Sequence, residues 1–327
     1  MAVKTAFSRH EFSDILSHYN LGAYLDFAPI AHGSVQTNFF LWTTQGRFVF
    51  RYYENRSIGS VLFESQVIQY LKDHQYPCPA ALKNRQGEAV GLYHEKPYII
   101  FEFVEGQHLE YPDNLQKKQL IQKVAQLQNI TRGYKPENTG DRWNYDTEQC
   151  CELAHAAAKR IGTPNAQAKL AWLEHELAQL QLPASLPKGI CHCDFHFSNI
   201  LFKDGEFNAL LDFDDANYTF LTYDLVSLIN LFMATFDWNT WPDFKQDEHV
   251  FDFRQARATV LEYNRHRPLD TNEKKYLFDV YKLSILFDCI WYFERGSVSD
   301  FYERRKITYL DSLSRDTFTA ELFAAPG

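Results

Sequence analysis

The chain has 327 residues, 45% of them hydrophobic and 16% aromatic, which is enough to bury one large or two medium cores. Its net charge of −9 and its pI near 5.7 argue against nucleic acid or an anionic membrane as the main partner, because both favour basic surfaces. No window approaches the ~20 apolar residues of a membrane span, and the N-terminus lacks the apolar core of a signal peptide.

The six cysteines do not suggest a disulfide framework, because the chain is long and Cys150 and Cys151 are adjacent. We therefore expect reduced thiols and a cytoplasmic protein. Cys191, Cys193 and the neighbouring histidines superficially suggest zinc, but their spacing does not match the usual pairs, so we expect no metal there.

Residues 1–105 are predicted to form a lobe with a five-stranded antiparallel sheet. Ser8 and Glu11 have the spacing of a capping box, which predicts a helix at its start. A second helix is predicted over 60–73 from its apolar face. The predicted strands are residues 24–30, 39–44, 48–53, 89–93 and 97–104.

The turn between the first two strands contains Gly33, Ser34, Val35 and Asn38. A small, polar hairpin tip can place backbone N–H groups over phosphates, so we expect these residues to bind a nucleotide. The alternative is an ordinary hairpin turn, since the segment has one glycine rather than three.

Arg51 on the third strand is a candidate partner for nucleotide phosphates, with Glu64 on the following helix holding it in place. The alternative is an exposed arginine on an edge strand. The backbone from Glu102 to Val104 is expected to hydrogen-bond an adenine, just before a hinge at Glu105 and Gly106.

Residues 106–327 are predicted to be a mainly helical lobe that carries the catalytic loop and the acceptor site. Helices are expected over 114–129 and 147–181, from 222 onward, and around 250–264, 272–296 and 300–323. The fold class is therefore α+β, with two lobes.

The most informative stretch begins at His192 and reads H-x-D-x-x-x-x-N, followed by two short apolar strands and D-F-D. Asp194 can orient or deprotonate a hydroxyl group. Asn199 and Asp212 offer the oxygen ligands that Mg²⁺ prefers, and the hairpin between them returns Asp212 to the same pocket. The pattern predicts phosphoryl transfer from a nucleotide; the alternative for an isolated D-x-x-x-x-N is a surface turn.

These motifs, together with Tyr223-Asp224-Leu225, resemble the aminoglycoside phosphotransferase and choline kinase superfamily, which has a protein-kinase-like fold. The N-terminal half is most similar to type II homoserine kinases, in residues 1–22, in the turn 33–39 and at Thr43-Thr44. The resemblance implies ATP and Mg²⁺ as cofactors, Asp194 as the catalytic base, and His192 and Asp224 as structural residues. For Asp224, a helix N-cap is an equally good interpretation.

Two segments depart from homoserine kinases. The catalytic loop reads Asp194-Phe195-His196, and the metal motif continues as Asp214-Asp215 rather than as an aromatic pair. Both versions look more like antibiotic or sugar-alcohol kinases of the superfamily.

The expected reaction is phosphorylation of L-homoserine by a monomer or weak dimer. The candidate counter-charges for the acceptor are Asp214, Asp215, Glu294 and Arg295, each of which could instead form a surface ion pair. The alternative acceptors are an aminoglycoside, choline or another amino-alcohol or sugar. A degenerate kinase that only binds nucleotide is the non-enzymatic alternative.

Overall fold

The computed structural model describes residues 5–30, 35–109, 111–195, 197–233, 251–291, 293–294, 297–298 and 302–324. Contacts divide the chain into two units, each built from separate stretches. The first unit comprises Met1–Pro112, Tyr134–Arg142 and Phe197–Ala216. The second comprises Asp113–Gly133, Trp143–His196 and Asn217–Gly327. The lobe boundary expected near residue 105 stays a prediction.

The first unit contains the predicted five-stranded antiparallel sheet, in the order β1-β2-β3-β5-β4. In this sheet Asn38 pairs with Arg51, and Phe39 pairs with Phe50. The sheet and the many helices of the chain confirm the α+β class. The strands are β1 (Tyr24–Pro29), β2 (Thr37–Thr43), β3 (Gly46–Tyr52), β4 (Gly91–Tyr93) and β5 (Lys96–Glu102).

Helix α1 (Arg9–Ser17) covers one face of this sheet. The predicted capping box is present, since Ser8 and Glu11 exchange side-chain and backbone hydrogen bonds. Alternate residues of β2 point toward α1, so that Phe39 packs against Phe12 in a buried aromatic cluster. The opposite face of the sheet carries Arg51.

Two further elements complete the first unit. Helix α2 (Ile58–Asp73) presents its buried side to β5. Strands β7 (Ile200–Lys203) and β8 (Glu206–Leu210) form the predicted hairpin. Gly106 approaches this hairpin closely, and backbone hydrogen bonds in both directions join Gln107 to Phe202.

The second unit is mainly helical, and the sequence-based helix boundaries are wrong at two points. The helix predicted over 147–181 is two helices, because Gly162 ends the first with a φ of 69° and Thr163 caps the second. The helix predicted over 300–323 is also two, the second capped by Ser314. The helices are α3 (Asn114–Ile130), α4 (Thr147–Ile161), α5 (Pro164–Ala178), α6 (Thr222–Met233), α7 (Phe253–His266), α8 (Thr271–Trp291), α9 (Tyr302–Ser312) and α10 (Arg315–Phe323).

A two-stranded antiparallel ladder within the second unit leads into the motif region. Strand β6 (Lys188–Cys191) pairs with β9 (Asn217–Phe220), and β6 ends directly before His192. The partner strand β9 was not predicted from the sequence.

Candidate active site

The hairpin of the first unit places Asn199 and Asp212 at the same end. Asn199 directly precedes β7, and Asp212 follows β8 after one residue. The backbone N–H of Leu211 donates to the carbonyl of Asn199 over 2.7 Å. The hydrogen bonding of the hairpin therefore continues beyond the two strands, as far as Asn199 and the residue before Asp212. Asn199 is buried, whereas the Asp212 side chain is 34% exposed. One amide and one partly exposed carboxylate therefore lie at the same, open end of the hairpin.

Asp212 has a left-handed backbone, with φ 60° and ψ 71°. Such a conformation costs roughly 1–3 kcal/mol in a residue other than glycine and persists only when the surroundings fix it. Strained residues of this kind concentrate at functional sites. The position that the D-F-D motif identified is therefore one of the few non-glycine residues with a left-handed backbone.

Arg51 makes a short ion pair with this carboxylate. Its Nη1 lies 2.5 Å from Oδ1 of Asp212, and its Nε donates to Oδ1 of Asn38 over 3.0 Å. The same Nη1 is 3.8 Å from Oε1 of Glu64. Arg51 is therefore a largely buried cation, 13% exposed, and not the exposed edge-strand arginine of the alternative interpretation.

Glu64 is buried on α2 and receives a hydrogen bond of 2.8 Å from the hydroxyl of Tyr53. Burial raises the pKa of Glu64 to about 7, although the charge of Arg51 acts in the opposite direction. Among the described residues, no donor lies within hydrogen-bond distance of Oε1 of Glu64.

Asp214 and Asp215 are bound by one arginine within the same unit. Arg56 forms a two-pronged ion pair with Asp214, with distances of 2.8 and 3.0 Å, and also donates to Asp215 over 2.9 Å. Gln36 adds a hydrogen bond of 2.9 Å to Asp214. Because Asp214 is buried and neutralised by Arg56, its surroundings favour a structural role over contact with a substrate.

Arg142 lies just beyond these carboxylates and was not identified from the sequence. Its guanidinium donates to the carbonyls of Asp214 and Ala216 and, over 2.7 Å, to Oγ of Ser60 on α2. It is buried, and its contacts connect the first turn of α2 with the segment that follows Asp212.

The other residues predicted to bind nucleotide are only partly described. Gly33 and Ser34 lie outside the described residues, whereas Val35 is half-buried just before β2. The backbone N–H of Glu102 donates to the carbonyl of Ala80, and its side chain pairs with Lys72 at 2.8 Å. Val104 is half-buried after β5.

In the second unit, a buried carboxylate supports the loop that carries Asp194. Asp224 accepts hydrogen bonds of 3.0 Å from the backbone N–H groups of both His192 and Cys193. Cys193 has a φ of 65°, so the chain bends sharply directly before the half-buried Asp194. Asp224 therefore does more than the N-cap of the alternative interpretation, since it binds the backbone directly before Asp194.

Asp224 has further support from α3 and α7. Gln128 donates to Asp224 over 3.3 Å and to the carbonyl of Leu221 over 2.8 Å, and it accepts a hydrogen bond from Tyr263. Burial raises the pKa of Asp224, while the N–H groups of Cys193 and His192 lower it. The sequence contained no signal for Gln128, which lies 96 residues from Asp224.

The imidazole of His192 is buried and accepts a hydrogen bond of 3.3 Å at Nδ1 from the backbone N–H of Asp194. This contact requires the tautomer that carries its proton on Nε2. His192 thus contributes to the local geometry of the catalytic motif.

No contact among the described residues brings the remaining candidate residues next to the side chains described above. Glu294 is exposed and forms an ion pair with Arg160. Arg295 lies outside the described residues.

Elsewhere in the second unit, Cys151, His155 and Glu174 lie close enough to hold a metal ion, but they are largely exposed, and His155 already pairs with Glu174. None of the six cysteines forms a disulfide bond, and no helix in the described ranges is long and apolar enough to cross a membrane.

Comparison with known proteins gives a consistent result. Residues 26–260 match the model of the phosphotransferase enzyme family APH. A homoserine kinase of Bradyrhizobium diazoefficiens is 30% identical over 283 residues, which cover 84% of this chain and 80% of that protein. A homoserine kinase of Nitrobacter winogradskyi is 28% identical over 275 residues, with the same coverage.

Solved structures show the same fold at low sequence identity. An amicoumacin kinase in complex with AMP-PNP and Ca²⁺ has a TM-score of 0.61 and 15% identity, covering 94% of this chain and 95% of its own. A spectinomycin phosphotransferase in complex with ADP has a TM-score of 0.61 and 13% identity, covering 98% and 99%. The predicted protein-kinase-like fold is thereby confirmed. The chain belongs to the APH phosphotransferase family and is a small-molecule phosphotransferase that acts on a hydroxyl group.

Proposed function

We propose that the protein is an ATP- and Mg²⁺-dependent kinase that phosphorylates the hydroxyl group of L-homoserine. The observation that carries the kinase chemistry is the placement of Asn199 and a strained Asp212 at the same end of the hairpin. The homoserine kinases that match over 80% of their length support the choice of acceptor.

The residues present fit a hard divalent cation. Asn199 and Asp212 offer an amide oxygen and a carboxylate, which are ligands that Mg²⁺ prefers over softer nitrogen or sulfur donors. Asp212 retains access to solvent, and its left-handed backbone marks a specialised position. When bound there, Mg²⁺ would neutralise negative charge on the transferred phosphoryl group.

The chain's own residues supply the other parts of the reaction. Asp194 would orient the acceptor hydroxyl and accept its proton, on a backbone that Asp224 holds through two N–H groups. Arg51 would bind nucleotide phosphates as a fixed planar cation, since Asn38 already orients its Nε. Val35 would belong to the phosphate-binding turn, Asn38 would support it from β2, and Glu102 to Val104 would provide the adenine contact.

ADP release from Mg²⁺·ATP tests the proposal, with L-homoserine, choline, methylthioribose and kanamycin as separate acceptors. We expect homoserine-dependent release, with O-phosphohomoserine identified by mass spectrometry. Release with another hydroxyl compound alone would retain the mechanism and reject the acceptor. A nucleotide-induced thermal shift without turnover on any acceptor would identify a protein that only binds nucleotide.

Variants test the role of Asp194 in the same assay. Asp194→Asn preserves shape but removes the proton acceptor, and general-base catalysis typically contributes 10²–10⁴-fold, so we expect a loss of that order in kcat. Asp204→Asn is the matched control, because Asp204 is exposed in the tight turn between β7 and β8, at a φ of 53° that asparagine also tolerates. Full turnover by Asp194→Asn would refute the assigned role.

A further inference from the structure

The left-handed conformation of Asp212 requires an explanation, because its own side chain makes no cap hydrogen bond to the following turn. The strain of roughly 1–3 kcal/mol must be offset by contacts that fix the neighbouring backbone. Before Asp212, the backbone is held by the hydrogen bond from Leu211 to Asn199; after it, the contacts within the first unit fall on residues 214–216.

The strongest of these contacts is the pair formed by Arg56 and Asp214. The two side chains are only 9% and 10% exposed, and the guanidinium binds both carboxylate oxygens. This planar, two-pronged geometry fixes orientation as well as distance. Arg56 also donates to Asp215, so one guanidinium fixes two consecutive residues of the turn.

Two other side chains fix the same segment. Gln36 donates to Asp214 and accepts a hydrogen bond of 2.8 Å from the backbone N–H of Glu54, which connects the start of β2 and the end of β3 to the turn. Arg142 donates to the carbonyls of Asp214 and Ala216. The backbone on the C-terminal side of Asp212 is thus held by three side chains.

We propose that Arg56 and Asp214 are a positioning pair that holds Asp212 in its metal-binding conformation and thereby sets the affinity for the metal–nucleotide complex. The inference rests on the proposed function, and it assigns to Asp214 a different role from contact with substrate or metal. Arg56 binds both carboxylate oxygens of Asp214, whereas Arg51 contacts Asp212 through Oδ1, so a metal at Asp214 would have to displace Arg56.

These two roles of Asp214 predict opposite effects of the same substitution. Arg56→Gln removes a cation close to the proposed metal site, so a purely electrostatic effect would strengthen metal binding. The same would follow if Asp214 were a ligand, because its carboxylate would be released. A positioning pair predicts weaker binding, since partners behind metal ligands typically contribute 10–100-fold to metal affinity.

The experiment measures Mn²⁺ binding in the presence of AMP-PNP, with free Mn²⁺ quantified by electron paramagnetic resonance, so it needs no turnover. We expect Arg56→Gln and Asp214→Asn each to weaken binding about 10–100-fold. The double variant is expected to weaken binding no further, because both single changes break one unit. Unchanged or tighter binding by Arg56→Gln would overturn the proposal.

Stability is controlled separately, because Asp214→Asn breaks a buried two-pronged ion pair, at a cost of up to about 3–5 kcal/mol, although Arg56 keeps Asp215 as a partner. The double variant Arg56→Gln/Asp214→Asn removes both charges and is expected to recover most of that loss. Wild-type metal affinity in the folded double variant would also overturn the proposal.

Glu176→Gln is the matched control, since Glu176 is 10% exposed and pairs at 2.8 Å with the buried Lys282 in the second unit. It is expected to lower stability without changing the affinity for Mn²⁺. An equal loss of affinity in this control would show that destabilisation alone explains the effect and would refute a positioning role. If the wild-type protein bound no Mn²⁺ in the presence of AMP-PNP, that result would refute the proposed function itself, on which the inference rests.

Discussion

The hydroxyl of Tyr53 lies 2.8 Å from Oε2 of Glu64, and both side chains are fully removed from solvent. The protonated form of the Glu64 carboxyl is favoured at this buried site. Burial raises its pKa by more than the charge of Arg51 lowers it. With the pKa of Glu64 raised from 4.5 to about 7, the folded protein binds a proton that the unfolded chain has released between these pH values.

This difference predicts a stability that depends on pH. Between pH 4.5 and about 7 the native state holds more protons than the unfolded state, so the contribution of Glu64 to stability falls as pH rises. Glu64→Gln cannot titrate and should therefore gain roughly 1–3 kcal/mol relative to wild type between pH 4.5 and pH 8. Urea unfolding of both proteins at the two pH values measures the gain. If the difference in unfolding free energy between the two proteins did not change with pH, the raised pKa of Glu64 would be contradicted.

Loss of the Asp224 carboxylate is expected to be costly. Asp224→Ala leaves the buried N–H groups of His192 and Cys193 without their acceptor, and each buried unsatisfied donor costs about 1–3 kcal/mol. We expect a loss of roughly 2–5 kcal/mol in unfolding free energy and a large decrease in turnover, because the backbone before Asp194 is released. Chemical denaturation and the ADP-release assay provide the two measurements.

Asp252→Ala is a matched comparison for this prediction. Asp252 also accepts from two backbone N–H groups, those of Arg254 and Gln255, but it does so at the exposed start of α7. Loss of such a cap costs about 1 kcal/mol. Equal losses of unfolding free energy in the two variants would mean that burial does not increase the stabilisation provided by the two hydrogen bonds of Asp224.

Gly106 is expected to resist substitution because of both its backbone and its surroundings. Its φ is 153°, and an added Cβ would lie 2.9 Å from Cβ of Leu201 and 3.0 Å from the carbonyl oxygen of Phe202. We expect Gly106→Ala to cost roughly 2–3 kcal/mol, from strain and overpacking together. Gly87→Ala, with a φ of 86° and no atom within 4 Å of the added Cβ, should cost about 1 kcal/mol. Thermal unfolding of the two variants would refute the argument if their melting temperatures fell equally.

The aromatic cluster beneath α1 is expected to provide much of the stability of the first unit. Phe12 is fully buried and contacts Phe7, Phe39 and Phe50. Phe12→Ala should cost about 3–5 kcal/mol, because it removes a large apolar side chain and leaves a cavity. Leu25→Ala, at a leucine that is 58% exposed, should change the free energy of unfolding by less than about 0.5 kcal/mol. Similar losses in urea denaturation would show that the cluster is not a core.

The sequence predicted what short-range chemistry determines. The capping box of Ser8 and Glu11, for example, lies within one helical turn. The break at Gly162 and Thr163 carried a readable signal, a glycine followed by a capping residue and a proline, which the continuous helical periodicity on either side obscured.

The contacts of the candidate site were harder to predict because their partners are distant in the chain. Gln36 and Arg142 reach Asp214 across 178 and 72 residues. Nothing local distinguishes a buried arginine such as Arg142 from a solvated one. For the same reason, the charge of Asp214 suggested contact with a substrate, since its partner Arg56 could not be identified from sequence spacing alone.

The first unit is assembled from three stretches of chain that are separated by residues of the second unit. Asp212 and its hairpin belong to the last of these stretches, which ends at Ala216, and Arg142 ends the middle one. During synthesis, the sheet and α2 therefore leave the ribosome well before the segment that provides the hairpin of β7 and β8. A chain that ends at residue 112 would lack Arg142, Asp212 and Asp214, so the first unit is not expected to be obtainable as an N-terminal fragment.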